Sequence, residues 1–121
     1  MPRTLDDVIE MARNDKDVLA IVLFGSRTKG DVYKDTDICL VTRNGCPQDK
    51  RLQYLAIFPK SFDIHVFDDL PLYIKSRVMK EGKILLNKDF QGVFEKYYQT
   101  IKDLRLFEPH FDTYLGMTTD G

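Results

Sequence analysis

No stretch of this sequence sustains the roughly 18 apolar residues that a membrane-spanning helix needs, so a membrane protein is not expected. Excess charge of either sign is missing too: 18 basic residues face 19 acidic ones, for a formal net charge of −1. Bulk electrostatics therefore gives no drive towards nucleic acid or an anionic membrane. Cysteine is scarce, with only Cys39 and Cys46, seven positions apart, the first inside a predicted strand. A structural disulfide is not expected from that pair, and reduced cytosolic thiols are the better reading. The opening MPRTLDDVIEM carries adjacent acids and no long apolar region, so it does not read as a secretory signal. Internal repeats, low-complexity tracts and Pro/Gly/Ser-rich linkers are absent as well. A cytoplasmic protein is the expectation.

What remains is an ordinary globular composition, 43% apolar and 31% charged over 121 residues. That is enough chain for one core, so a single domain over 1–121 is expected, with 107–121 as a C-terminal tail. Thr4 followed by Asp6 and Asp7 reads as a helix start, with Leu5, Val8, Ile9 and Ala12 on one stripe. Residues 18–24 (VLAIVLF) form a continuous apolar run, the pattern of an interior strand covered on both sides. A strand is expected over 37–42, a helix from Pro47 to about residue 58, and an alternating strand over 62–67. Asp68 or Asp69 can cap a helix over 70–81 that closes at Gly82, followed by a short strand over 83–87. A long amphipathic helix over 90–107 ends at Pro109. This order predicts an α/β (α+β) fold, a small mixed sheet with helices mainly on one face.

The most informative segment is GSRTKGDVYKDTDICLV, residues 25–41. The apolar run breaks at Gly25-Ser26, and ten residues then separate Ser26 from Asp37. Side chains alternate along a strand, so Asp37, Cys39 and Val41 point one way, Ile38 and Leu40 the other. By the same parity Asp63, His65 and Phe67 share a side. If the two strands are neighbours, Asp37, Cys39, Asp63 and His65 gather on one open face.

This segment resembles the signature of the DNA polymerase beta-like nucleotidyltransferases, Gly-Ser, ten residues, then Asp-x-Asp. It is especially similar to the minimal nucleotidyltransferase branch, where GSRARG precedes SDID. Gly25, Ser26, Arg27 and Gly30 match, Lys29 keeps the basic character, and Thr36-Asp37-Ile38 stands for Ser-Asp-Ile. The resemblance implies a nucleotidyltransferase fold, with a nucleoside triphosphate (ATP or another) as substrate and Mg²⁺ as cofactor. It implies transfer of a nucleoside monophosphate to an acceptor hydroxyl. Asp37 and Asp63 become catalytic and metal-holding residues, with Gly25, Ser26, Arg27, Lys29 and Gly30 around the phosphates. A HEPN-type protein partner in a toxin–antitoxin module, or a homo-oligomer, is implied as well.

Two Mg²⁺ ions stabilise the entering and leaving oxygens of an in-line displacement, and Mg²⁺ prefers carboxylate oxygen. Cys39 stands where the family has its second aspartate, at an expected metal-ligand position. A thiol is a soft ligand, mostly protonated at neutral pH. The expectation is binding of Mg-nucleotide with slow or no transfer; the alternative is a catalytically degenerate nucleotide-binding or antitoxin-type interaction module. A zinc site using Cys39 and His65 is a third reading.

Other residues have plainer roles. Asp35 reads as a solvated strand-entry residue, with a substitute ligand as the alternative, and His65 as a structural or exposed strand residue, with a place in the lining of the site as the alternative. Asp68-Asp69 reads as loop and cap, and Cys46 as a bystander in a turn. Phe90, Phe94, Tyr97, Tyr98 and Ile101 are most simply core packing. Continued by Phe107, His110, Phe111 and Tyr114, they also suit a surface for a partner or self-association.

Overall fold

The computed structural model describes residues 4–25 and 36–106. Four strands, β1 (Val18–Phe24), β2 (Thr36–Thr42), β3 (Phe62–Val66) and β4 (Lys83–Asn87), form one sheet in the order β3-β2-β1-β4. β1 runs antiparallel to both β2 and β4, whereas β2 and β3 are parallel. A parallel pair needs a crossover, and helix α2 (Lys50–Leu55) lies within that connection. The sheet is therefore mixed, as expected.

Layering differs from expectation, because helices cover both faces instead of mainly one. Val8 and Ala12 of α1 (Leu5–Arg13), with Tyr54 of α2 and Phe58, pack on Ile21, Ile38, Leu40 and Ile64. Val78 of α3 (Leu72–Glu81) and Val93 of α4 (Phe90–Leu106), with Phe67, pack on Ala20, Val22, Cys39 and Val41. The cause is legible in β1 and β2, which are apolar on both sides and need cover on each.

Local chemistry sets the helix limits. Thr4 and Asp7 form a reciprocal capping box that starts α1. Asp89 accepts the Gly92 N–H at 3.0 Å and caps α4. α2 begins at Lys50, not Pro47, and α3 is entered through Pro71, with no side-chain cap from Asp68 or Asp69. Gly82 closes α3 as expected, but with φ −74°. Its need for glycine is space: a Cβ there would run into the Val78 carbonyl and Val22.

A buried polar cluster ties α1, α2 and the end of β2 together. Lys50 Nζ lies 3.1 Å from Asp15 Oδ2 and 3.0 Å from Asp17 Oδ2. The Tyr54 hydroxyl donates to Asp15 at 2.9 Å, and Arg43 Nε donates to Asp17 at 2.6 Å. Burial alone would raise the Asp15 carboxyl, but hydrogen bonds from the Asp17 N–H, Lys50 and Tyr54 hold it below its ordinary value. For Asp17 the Lys50 hydrogen bond dominates, aided by Arg43, and lowers it in the same way. Burial opposes the Lys50 charge, yet the two carboxylates keep its ammonium above the usual lysine value.

α4 turns Val93, Tyr97 and Thr100 towards the sheet. Phe90, Phe94, Tyr98 and Ile101, expected as core, are instead exposed along a neighbouring stripe, where Phe94 and Tyr98 stack at 5.9 Å.

Candidate active site

β1 ends at Phe24, and Gly25 turns the chain with φ +83°, the left-handed region glycine favours. A Cβ on Gly25 would overlap the Asp37 carboxylate directly. The turn and the first acid of β2 are thus seated against one another, since Phe24 pairs with Asp37 across the sheet. On the other side, the parallel register sets Asp37 beside Asp63 and Cys39 beside His65.

Those pairings bring three donors together. His65 Nε2 lies 3.2 Å from Asp63 Oδ2 and 3.8 Å from Asp37 Oδ1, and one ligand atom from each residue falls within 4.8 Å of the others. The Phe24 ring meets the imidazole edge-on at 5.6 Å. Side-chain exposure is 26% for Asp37, 43% for Asp63 and 25% for His65, so all three remain reachable from water. Bonds of about 2.1 Å in an octahedron put cis ligands about 3.0 Å apart and trans ligands about 4.2 Å apart. Two carboxylates and an imidazole at this spacing are a donor set that could hold a divalent ion.

Cys39 is not in that group. Parity put it on the correct side of β2, but the expected open face is covered there: Cys39 is 0% exposed, beneath Phe67, Val78 and Val93. Burial, reinforced by Asp68 and opposed by Lys75, pushes its thiol far up, so no thiolate is on offer. The metal-ligand role expected of Cys39, and the zinc reading built on it, are corrected accordingly. Both cysteines are free. Ser26, Arg27, Lys29 and Gly30, expected around the phosphates, lie outside the described residues, as does Asp35.

A cavity of about 470 Å³ opens beside the cluster, lined by Phe24, Gly25, Asp37, His65, Leu70, Pro71, Ile74 and Arg77. Sequence reasoning missed its far wall. Ile74 and Arg77 sit three apart on α3, on one side of that helix. That spacing is the only signal, and it points to a shared helix side without indicating what the side faces.

These features define a nucleotidyltransferase fold with an acidic site at the β1–β2 turn. Residues 6–91 match the model of the family described as Polymerase beta, Nucleotidyltransferase, and the chain belongs to that family. A relative from Methanocaldococcus jannaschii, named "Putative protein adenylyltransferase MJ1547", is 34% identical over 93 residues, or 75% of this chain and 73% of that protein. Among solved structures, a chain of the toxin–antitoxin MntA-HpeT superposes with a TM-score of 0.71 at 18% identity, covering 94% of this chain and 96% of that one. A toxin–antitoxin structure with AMP-PNP gives 0.70 at 18% identity over 92% and 94%. The complex of tri-AMPylated Shewanella oneidensis HEPN toxin with MNT antitoxin gives 0.64 at 17% over 92% of each chain. At these identities the likeness extends to the fold.

Among the described residues, no helix is long and apolar enough to cross a membrane.

Proposed function

We propose that this chain binds a nucleoside triphosphate, with ATP the first choice, together with a divalent ion, and transfers AMP to a hydroxyl on another macromolecule. The observation that carries this reading is the seating of Asp37 between the left-handed Gly25 turn and Asp63. The family supplies the reaction class, and the name of the M. jannaschii relative points to a protein acceptor.

Asp37 and Asp63 would hold the ion, and Gly25, lacking a Cβ, leaves room for the Asp37 carboxylate at that position. Ser26, Arg27, Lys29 and Gly30 follow the family signature and are the proposed phosphate contacts on that ground alone, while Phe24, Leu70 and Ile74 offer an apolar wall for the base and Arg77 a cation. When bound, the divalent ion neutralises phosphate charge and polarises the entering oxygen. The acceptor oxygen forms a bond to the α-phosphorus, the α–β anhydride breaks, pyrophosphate leaves, and the hydroxyl proton is released.

The second reading, a binding module of the antitoxin type, is favoured by Cys39, which offers no carboxylate, and by the exposed stripe on α4. In that case the triphosphate binds without turnover, and a HEPN-type partner or a second copy covers α4. One experiment separates the two: ATP labelled at the α-phosphate, incubated with Mg²⁺ or Mn²⁺ and a HEPN-type protein. The enzyme reading expects label on protein, lost in Asp37→Asn and Asp63→Asn. Binding without label supports the module, and label indifferent to both substitutions sinks the site assignment.

A further inference from the structure

His65 does not behave as a spectator of its strand. It stands in register with Cys39, yet its imidazole reaches Asp63 and Asp37, two residues back along their strands. Two contacts hold it there: the Phe24 ring meets the imidazole edge-on at 5.6 Å, and the Asp63 carboxylate lies 3.2 Å from Nε2. A quarter of the side chain stays exposed, on the wall of the cavity. The described residues contain no other group of three His, Cys, Asp or Glu side chains close enough to hold a metal ion.

We propose that His65 is a direct imidazole ligand of the divalent ion at this site, so that the site prefers Mn²⁺, Co²⁺ or Zn²⁺ to Mg²⁺. The proposal rests on the reading that Asp37 and Asp63 hold that ion. Two carboxylate oxygens and one imidazole nitrogen make a mixed donor set. Mg²⁺ favours oxygen donors and keeps its waters, whereas affinity for nitrogen rises along the first transition row. The rival role for the imidazole is a hydrogen bond between two carboxylates, which requires no ion.

The test uses Mn²⁺ alone, without nucleotide, so that no base nitrogen competes. Free Mn²⁺ is followed by electron paramagnetic resonance, and the bound ion is examined for ¹⁴N modulation. The expected result is a nitrogen signal in the wild type that disappears in His65→Gln. Affinity should fall at least roughly tenfold, since even loss of an outer-shell partner costs that much. His65→Asp should remove the nitrogen signal and move the preference back towards Mg²⁺. Bound Mn²⁺ without nitrogen modulation, at an affinity unchanged in His65→Gln, overturns the role of His65 and leaves the two aspartates standing. Failure of the underlying reading is distinct: Mn²⁺ binding would then be indifferent to Asp37→Asn and Asp63→Asn. Absence of Mn²⁺ binding by the wild type overturns the proposal outright.

Discussion

Replacing Gly25 by alanine tests the seating of the β1–β2 turn on Asp37. Two costs are separable. The backbone sits at φ +83°, where an L-residue pays roughly 1–2 kcal/mol. The new Cβ would also overlap the Asp37 carboxylate, with Asp37 Cγ at 3.1 Å and Cβ at 3.3 Å, so the carboxyl must swing away. The first cost lowers the melting temperature by about 4–8 °C, taking an unfolding entropy of roughly 2 cal/mol/K per residue over a chain of this length. The second moves a ligand, and misplacement by about 1 Å at a reacting centre costs on the order of a hundredfold. Metal affinity should therefore drop along with stability, whereas a cost confined to the backbone would lower stability alone. A double-mutant cycle isolates the overlap. In an Asp37→Ala background the carboxylate is gone, so Gly25→Ala should be milder there by more than about 0.5 kcal/mol. Strict additivity, or Gly25→Ala with unaltered metal affinity, would refute the seating argument.

Three further outcomes follow from the structure. The Asp15 and Asp17 carboxyls lie below their ordinary 3.8, so their contribution to stability is complete above that value and fades as pH falls through the depressed values. Lys50 lies above 10.5, so its contribution is complete below that value and fades as pH rises through the raised one. Urea midpoints measured across pH should show both limbs; Lys50→Met should shift the acid limb to higher pH, and an unchanged limb contradicts the pairing. A thiol reagent at neutral pH should modify only Cys46 in the folded chain and both cysteines in urea, because Cys39 is sealed and its thiol pushed far up. Rapid labelling of Cys39 in the folded chain would show that α3 and α4 do not cover it. Lys88→Met removes donors to the carbonyls of Ala12 at 2.6 Å and Asp15 at 2.8 Å, at the end of α1. It should cost about 1.5–3 kcal/mol in urea denaturation, and a change near zero would count against those bonds.

Much of this fold was written in local sequence. The β1 run, the alternation expected over 62–67, the Thr4 start and the Gly82 stop each rest on short-range rules; each element appears where those rules put it, except that the strand stops one residue early, at Val66. Parity correctly set Asp37, Cys39, Asp63 and His65 on one side of the sheet, because the β2–β3 register runs without a bulge from Asp37 to Cys39 and from Asp63 to His65. Parity cannot say what covers that side. Cys39 lies under α3 and α4 while Asp37, two residues earlier, reaches the cavity. That difference depends on the packing of segments some forty to fifty residues away in sequence. The same limit explains the Lys50 cluster, assembled from residues 35 and 39 positions apart. It also explains the reach of His65 towards Asp63, a matter of side-chain direction and not of strand register. On α4, helical spacing gathered the apolar residues but did not choose which of two adjacent stripes meets the sheet.

The central claim is that Asp37 and Asp63 hold a divalent ion on which triphosphate binding depends. Isothermal titration of AMP-PNP tests it most directly, with and without Mg²⁺ or Mn²⁺, into wild type, Asp37→Asn and Asp63→Asn. Binding should require the ion and be lost in either variant, with each variant still melting cooperatively. Equal binding by all three proteins, or binding undiminished by a chelator, would contradict it.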